Sequence, residues 1–95
     1  MMDIIFRPEA EMEILEARTW YELRSAGLGF EFARAVEVAI ETASRMPHGF
    51  EKIDGEFRQI LLCRFPYSII YRSSESELVV VSCYHHKRKP GFWTG

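Results

Sequence analysis

The sequence predicts an α+β domain in which a helical hairpin packs on one face of a curved antiparallel sheet, in the order β-α-α-β-β-β. Three observations carry that prediction. Apolar residues recur at helical spacing through residues 9–45, three strand-like runs follow one another from Phe57 onward, and the connections between those runs are short. Strands joined this way pair as an antiparallel meander. With 95 residues, all of 1–95 is expected to form one domain, because no second core fits.

Met2–Arg7 reads as a short strand, with Ile4 and Phe6 on one face and Ile5 on the other. Pro8 marks the junction to a helix, where its fixed φ and missing N–H do little harm. Glu9, Glu11 and Glu13 load the first turns with negative charge, which favours a helix N-terminus. The first helix is predicted from Glu9 to Ser25, with Ala10, Ile14, Ala17 and Tyr21 on one apolar stripe. Gly27 is its expected left-handed stop, and Gly27-Leu28-Gly29 is the hairpin turn. The second helix is predicted from Leu28 to Arg45. Phe32, Val36, Ala39, Ile40 and Ala43 form its inner stripe, and Glu31, Arg34, Glu37 and Glu41 face water. Met46-Pro47-His48-Gly49 ends it. Phe50–Glu56 reads as a polar connection with a turn at Gly55.

The strands are predicted at Phe57–Cys63, Tyr67–Ser73 and Glu77–Tyr84. Arg64-Phe65-Pro66 separates the first two, because Pro66 cannot donate to a ladder. Val79, Val80 and Val81 make the last strand apolar on both faces, as a central, covered strand requires. Of Tyr67 and Tyr71, at least one ring belongs to the core, and Phe92 and Trp93 are expected to pack the tail against the body. Cys63 and Cys83 fall inside predicted strands and are expected as buried free thiols. With His85 and His86 they match no structural zinc spacing, so no metal and no cofactor are expected.

Net charge is −2, unevenly spread. Residues 1–56 hold six Lys/Arg against twelve Asp/Glu, whereas residues 57–95 hold six against two. An acidic helical half therefore meets a basic strand half. No apolar stretch is long enough to span a bilayer. Asp3 and Arg7 interrupt the first apolar run, so no secretory signal is read and a cytoplasmic location is expected. Arg58, Arg64 and Arg72 punctuate the strands, and Arg88 lies in the closing segment His85-His86-Lys87-Arg88-Lys89-Pro90. These four arginines are the candidate contacts to phosphate or to an acidic target. The bland alternative for Arg64 and Arg72 is pairing with helix glutamates or simple solvation. His86 and His48 read as surface residues.

Several segments, in this order, resemble the RelE/ParE superfamily of toxins from bacterial type II toxin–antitoxin modules. They are Ile5-Phe6-Arg7-Pro8-Glu9-Ala10, Ala17–Glu22 with Trp20-Tyr21, and Gly27-Leu28-Gly29 with Phe32. Next come Pro47 and the run Arg58 to Tyr71, which includes Arg64-Phe65-Pro66-Tyr67-Ser68-Ile69-Ile70-Tyr71 followed by Arg72. The last is His85-x-x-Arg88-x-Pro90 with Trp93 behind it. The resemblance implies neutralisation by a cognate antitoxin whose partly disordered tail folds on binding. It also implies one of two targets. ParE-like members poison DNA gyrase; RelE-like members cleave mRNA in the ribosome. In the nuclease branch His85 would act as acid or base, Arg64 and Arg72 would grip phosphate, and Glu51 or Glu56 would assist. RelE-like nucleases are strongly basic, whereas this chain has a pI near 5.9 and only Lys52 before its tail. That balance favours the ParE-like branch, with the nuclease and a non-toxic degenerate binding module as alternatives. Trp20 flanks the first helix's core stripe and is the expected antitoxin anchor; its alternative role is to cover the sheet edge within the monomer.

Overall fold

The computed structural model describes residues 2–87, so Arg88, Phe92 and Trp93 lie outside the described residues. The element order is β1 (Asp3–Phe6), α1 (Pro8–Arg24), α2 (Leu28–Arg45), β2 (Lys52–Asp54), β3 (Phe57–Leu61), β4 (Tyr67–Ser73) and β5 (Glu77–His85). They build one five-stranded sheet in the order β1-β5-β4-β3-β2. β3 to β5 form the expected antiparallel meander, β2 extends it beyond β3, and β1 adds in parallel to β5. The α+β class stands, with two corrections. The sheet is mixed rather than wholly antiparallel. The segment read as a polar connection contains a fifth strand, Lys52–Asp54, which is too short and too polar to show a period of two.

Helix α1 starts at Pro8, with Glu9 and Glu11 in its first turn and Arg24 in its last, so charge complements the macrodipole at both ends. Gly27 adopts φ 89°, the left-handed geometry expected of the turn. No side chain of its own caps α2. Instead the Glu22 carboxylate accepts from the Gly27 and Gly29 amides, both at 3.0 Å, and fills the orphan donors at that helix start. Gly29 is buried where the two helices come closest, and a Cβ there would stand 2.7 Å from the Arg18 carbonyl oxygen.

The core between helices and sheet is aromatic at one end. Phe32 stacks on Tyr21 at 5.3 Å and meets Phe65 and Tyr67 edge-on, each at 5.2 Å between centroids. Tyr71 is the fully buried tyrosine, and its hydroxyl donates to the Pro47 carbonyl at 2.9 Å. The Arg58 guanidinium donates to the Phe50 carbonyl at 2.8 Å. These two bonds tie down the connection leaving α2. On the other face, Ile70, Val79 and Val81 form a second buried cluster flanked by Ile53, Phe57 and Tyr84.

The two cysteines part company. Cys83 is buried, as expected, but Cys63 lies beyond the end of β3 and is exposed. The strand expected over Phe57–Cys63 stops at Leu61, because the chain turns out of the ladder before Pro66. Burial pushes the Cys83 thiol up to about 12, with the Glu13 carboxylate adding to the shift. Iodoacetamide at mildly alkaline pH is therefore expected to label Cys63 and spare Cys83 in the folded chain, as read by peptide mass spectrometry. Equal labelling would refute the assignment. The same shift gives a sign for stability. Cys83 stays neutral in the fold while the unfolded thiol ionises near 9, so stability falls as pH rises from 9 towards 12.

Candidate functional site

The candidate site is an open groove of about 670 Å³ between α1 and the end of the sheet, walled by Glu13, Glu16, Trp20, Tyr67, Cys83 and His85. A bulge in β5 builds it. Ile70 pairs with Ser82 and Tyr71 with Val80, which leaves Val81 as an extra residue. Before the bulge, Leu78 and Val80 face the helices; after it, Cys83 does. The frame shift therefore carries His85 to the helix side, opposite Tyr67, with the two rings edge-to-face at 5.0 Å.

Glu13 anchors the groove floor. Its carboxylate accepts from the Ser82 hydroxyl at 2.9 Å and from the Cys83 amide at 3.0 Å, joining α1 to β5. His85 uses Nδ1 to accept from the Lys87 amide at 3.0 Å, so a neutral ring carries its proton on Nε2. Trp20 is 51% exposed, touches Tyr21 edge-on at 5.1 Å, and has the Arg24 guanidinium 4.2 Å from its ring centroid. It forms a wall of the groove with much of its ring open to solvent.

The other sequence candidates do not gather here. Arg64 sits in the β3–β4 connection with φ 70°, and its guanidinium pairs with Glu31 of α2 at 2.6 Å. It borders a second groove of about 460 Å³ that includes Phe30, Val38, Leu61 and Cys63. Arg72 pairs with Val79 across the sheet and lies near Glu56 at 3.9 Å. Strand alternation puts Arg72 on the face of Ile70, away from the helices. Five residue steps along β4 separate it from Tyr67, the partner of His85, a span of about 17 Å at the usual strand rise. Arg72 and His85 thus occupy opposite faces and opposite ends of the sheet. Arg58 is committed to the Phe50 carbonyl, and Arg88 lies outside the described residues. His86 is exposed, as read from the sequence, and its Nε2 lies 2.9 Å from the hydroxyl of the buried Ser68. Among the described residues no group of three or more His, Cys, Asp or Glu side chains is placed to hold a metal ion. None of the described helices is long and apolar enough to cross a membrane.

Sequence reasoning missed Glu13, Glu16 and Tyr67 as groove residues. The available signal was the position of Glu13 and Glu16 on the flank of α1 that also carries Trp20.

No family model matches the sequence, and no curated protein matches it. Solved structures do. One chain of the chromosomal ParDE TA system from P. aeruginosa superposes with a TM-score of 0.63 at 16% identity, covering 90% of this chain and 96% of that one. At that identity the likeness speaks for the backbone arrangement, and it spans nearly the whole of both chains. The strand, helical hairpin and meander described above are therefore the backbone arrangement that this chain shares with that one.

Proposed function

We propose that this chain is the toxin of a type II toxin–antitoxin module, that it acts in the cytoplasm by binding DNA gyrase, and that a cognate antitoxin neutralises it. The fold likeness supports the module assignment. The observation that carries the non-nuclease reading is the scatter of Arg64, Arg72 and His85. In-line attack of a ribose hydroxyl needs an acid–base group and cationic donors within hydrogen-bond reach of one phosphate. Here two of the arginines are engaged by Glu31 and Glu56, and about 17 Å of strand separates Arg72 from the histidine's partner. The acidic balance of the chain points the same way, since binding among ribosomal phosphates rewards positive charge.

Induced expression without the antitoxin gene is expected to arrest growth, and purified chain is expected to inhibit gyrase supercoiling. Codon-specific cuts by primer extension on programmed ribosomes would instead establish the nuclease reading. Unimpaired growth would establish a non-toxic binding module.

The antitoxin is expected to seat a side chain against Trp20, with a basic residue towards Glu16. Trp20→Ala should weaken antitoxin binding roughly 30-fold, about 2 kcal/mol, a typical loss for an exposed aromatic anchor. Isothermal titration with the antitoxin tests this. Unchanged affinity in a folded variant would place the antitoxin elsewhere.

A further inference from the structure

We propose that the free chain pairs with a second copy of itself through the outer flank of α1 and the neighbouring β1 edge. The surface is apolar and uncovered. Met12 and Leu15 of α1 are 58% and 59% exposed, and Ile4, Ile5 and Phe6 of β1 are all exposed. A hollow of about 230 Å³ lies between Phe6 and the α1 residues Glu11, Ile14, Leu15 and Arg18. Among the described residues β1 pairs only with β5, which leaves its other edge unpaired by them, with no lysine or proline on the strand to guard it. Apolar side chains grouped beside an open edge mark an interaction surface.

The charge pattern says what covers it. Glu11, Leu15 and Arg18 follow the i, i+4, i+7 spacing and share one stripe of α1. Among the described residues neither Glu11 nor Arg18 has an ion-pair partner. Glu11 and Arg18 stand symmetrically about the middle of the stripe, two helical turns apart. A two-fold axis there, with the helices antiparallel, sets Glu11 against Arg18 of the other copy twice, and brings Leu15 and its mate together at the centre. That self-complementarity is what an isologous contact requires. The strip lies on the opposite flank of α1 from Glu13, Glu16 and Trp20, so pairing leaves the groove open. Few side chains take part, which places the contact at the small, weak end of interface sizes.

Sedimentation equilibrium of the full chain, from micromolar to submillimolar concentration, tests the proposal. The wild type is expected to pass from monomer to dimer across that range. Glu11→Arg and Arg18→Glu should each weaken the dimer at least tenfold, because each turns two attractive pairs into two repulsive ones. The double variant E11R/R18E should restore it. All of these positions are exposed, and circular dichroism checks that each variant is folded. A wild type that is monomeric throughout overturns the proposal. So does a dimer indifferent to the single charge reversals. Hydrogen-exchange protection of Ile4–Phe6 that appears only with a foreign peptide would also overturn it, assigning the strip to another partner.

Discussion

Replacing Phe32 with alanine is expected to remove about 3–5 kcal/mol of unfolding free energy, the usual range for truncating a buried phenylalanine. The side chain has no solvent exposure and meets three aromatic rings, from Tyr21 of α1, Phe65 of the β3–β4 connection and Tyr67 of β4. One truncation therefore loosens both helices from the sheet together. Two effects add. Apolar surface is no longer removed from water, and the hole keeps part of its volume because the rings around it are held by their own strands. A chain of this length has a total stability of roughly 5–14 kcal/mol, so the variant is close to unfolding or past it. The melting temperature is expected to fall by roughly 12 °C or more. Thermal and urea unfolding followed by circular dichroism measure this. A loss below about 1 kcal/mol would mean that the aromatic cluster does not hold the hairpin down.

The inward position of Phe32 is legible in the amino-acid pattern alone. Its stripe, with Val36, Ala39, Ile40 and Ala43, recurs at 3.6-residue spacing, and all five residues are buried. That stripe, the left-handed Gly27 and the run from Tyr67 to Ser73 rest on local pattern, which a sequence displays directly. Helix α1 is legible only in part, since Met12 and Leu15 break the polar face that a solvated helix would show. The site is less legible, for two physical reasons. Strand β5 is apolar on both faces, so nothing in residues 79–83 announces the extra residue that moves His85 to the helix side. Proximity along the chain is also a poor guide to facing: Arg64 and Arg72 bracket β4, yet one pairs with α2 and the other lies on the far face of the sheet. Trp20 is legible as an exposed ring because it stands off the stripe of Ala10, Ala17 and Tyr21.

Gly29→Ala is expected to destabilise the chain by about 2 kcal/mol, and Gly29→Val by about 3 kcal/mol or more, although local propensity argues the reverse. Alanine in a helix is favoured over glycine by up to about 1 kcal/mol. The close approach of the helices opposes that gain. An added Cβ would stand 2.7 Å from the Arg18 carbonyl oxygen and 2.9 Å from Oε1 of Glu22, well inside van der Waals contact. The Glu22 side chain can swing away, but then its bond to the Gly29 amide is lost, and a bond to a charged acceptor contributes about 1.5–3 kcal/mol. The Arg18 carbonyl cannot swing away, because it belongs to the body of α1. The helices must therefore separate at the point where Tyr21 and Phe32 stack. Comparing Gly29→Ala in wild-type and Glu22→Ala backgrounds divides the two causes. If the main-chain approach dominates, the penalty persists without Glu22. A Gly29→Ala chain more stable than wild type would show that the hairpin has room to spare, and that propensity rather than helix contact governs its start.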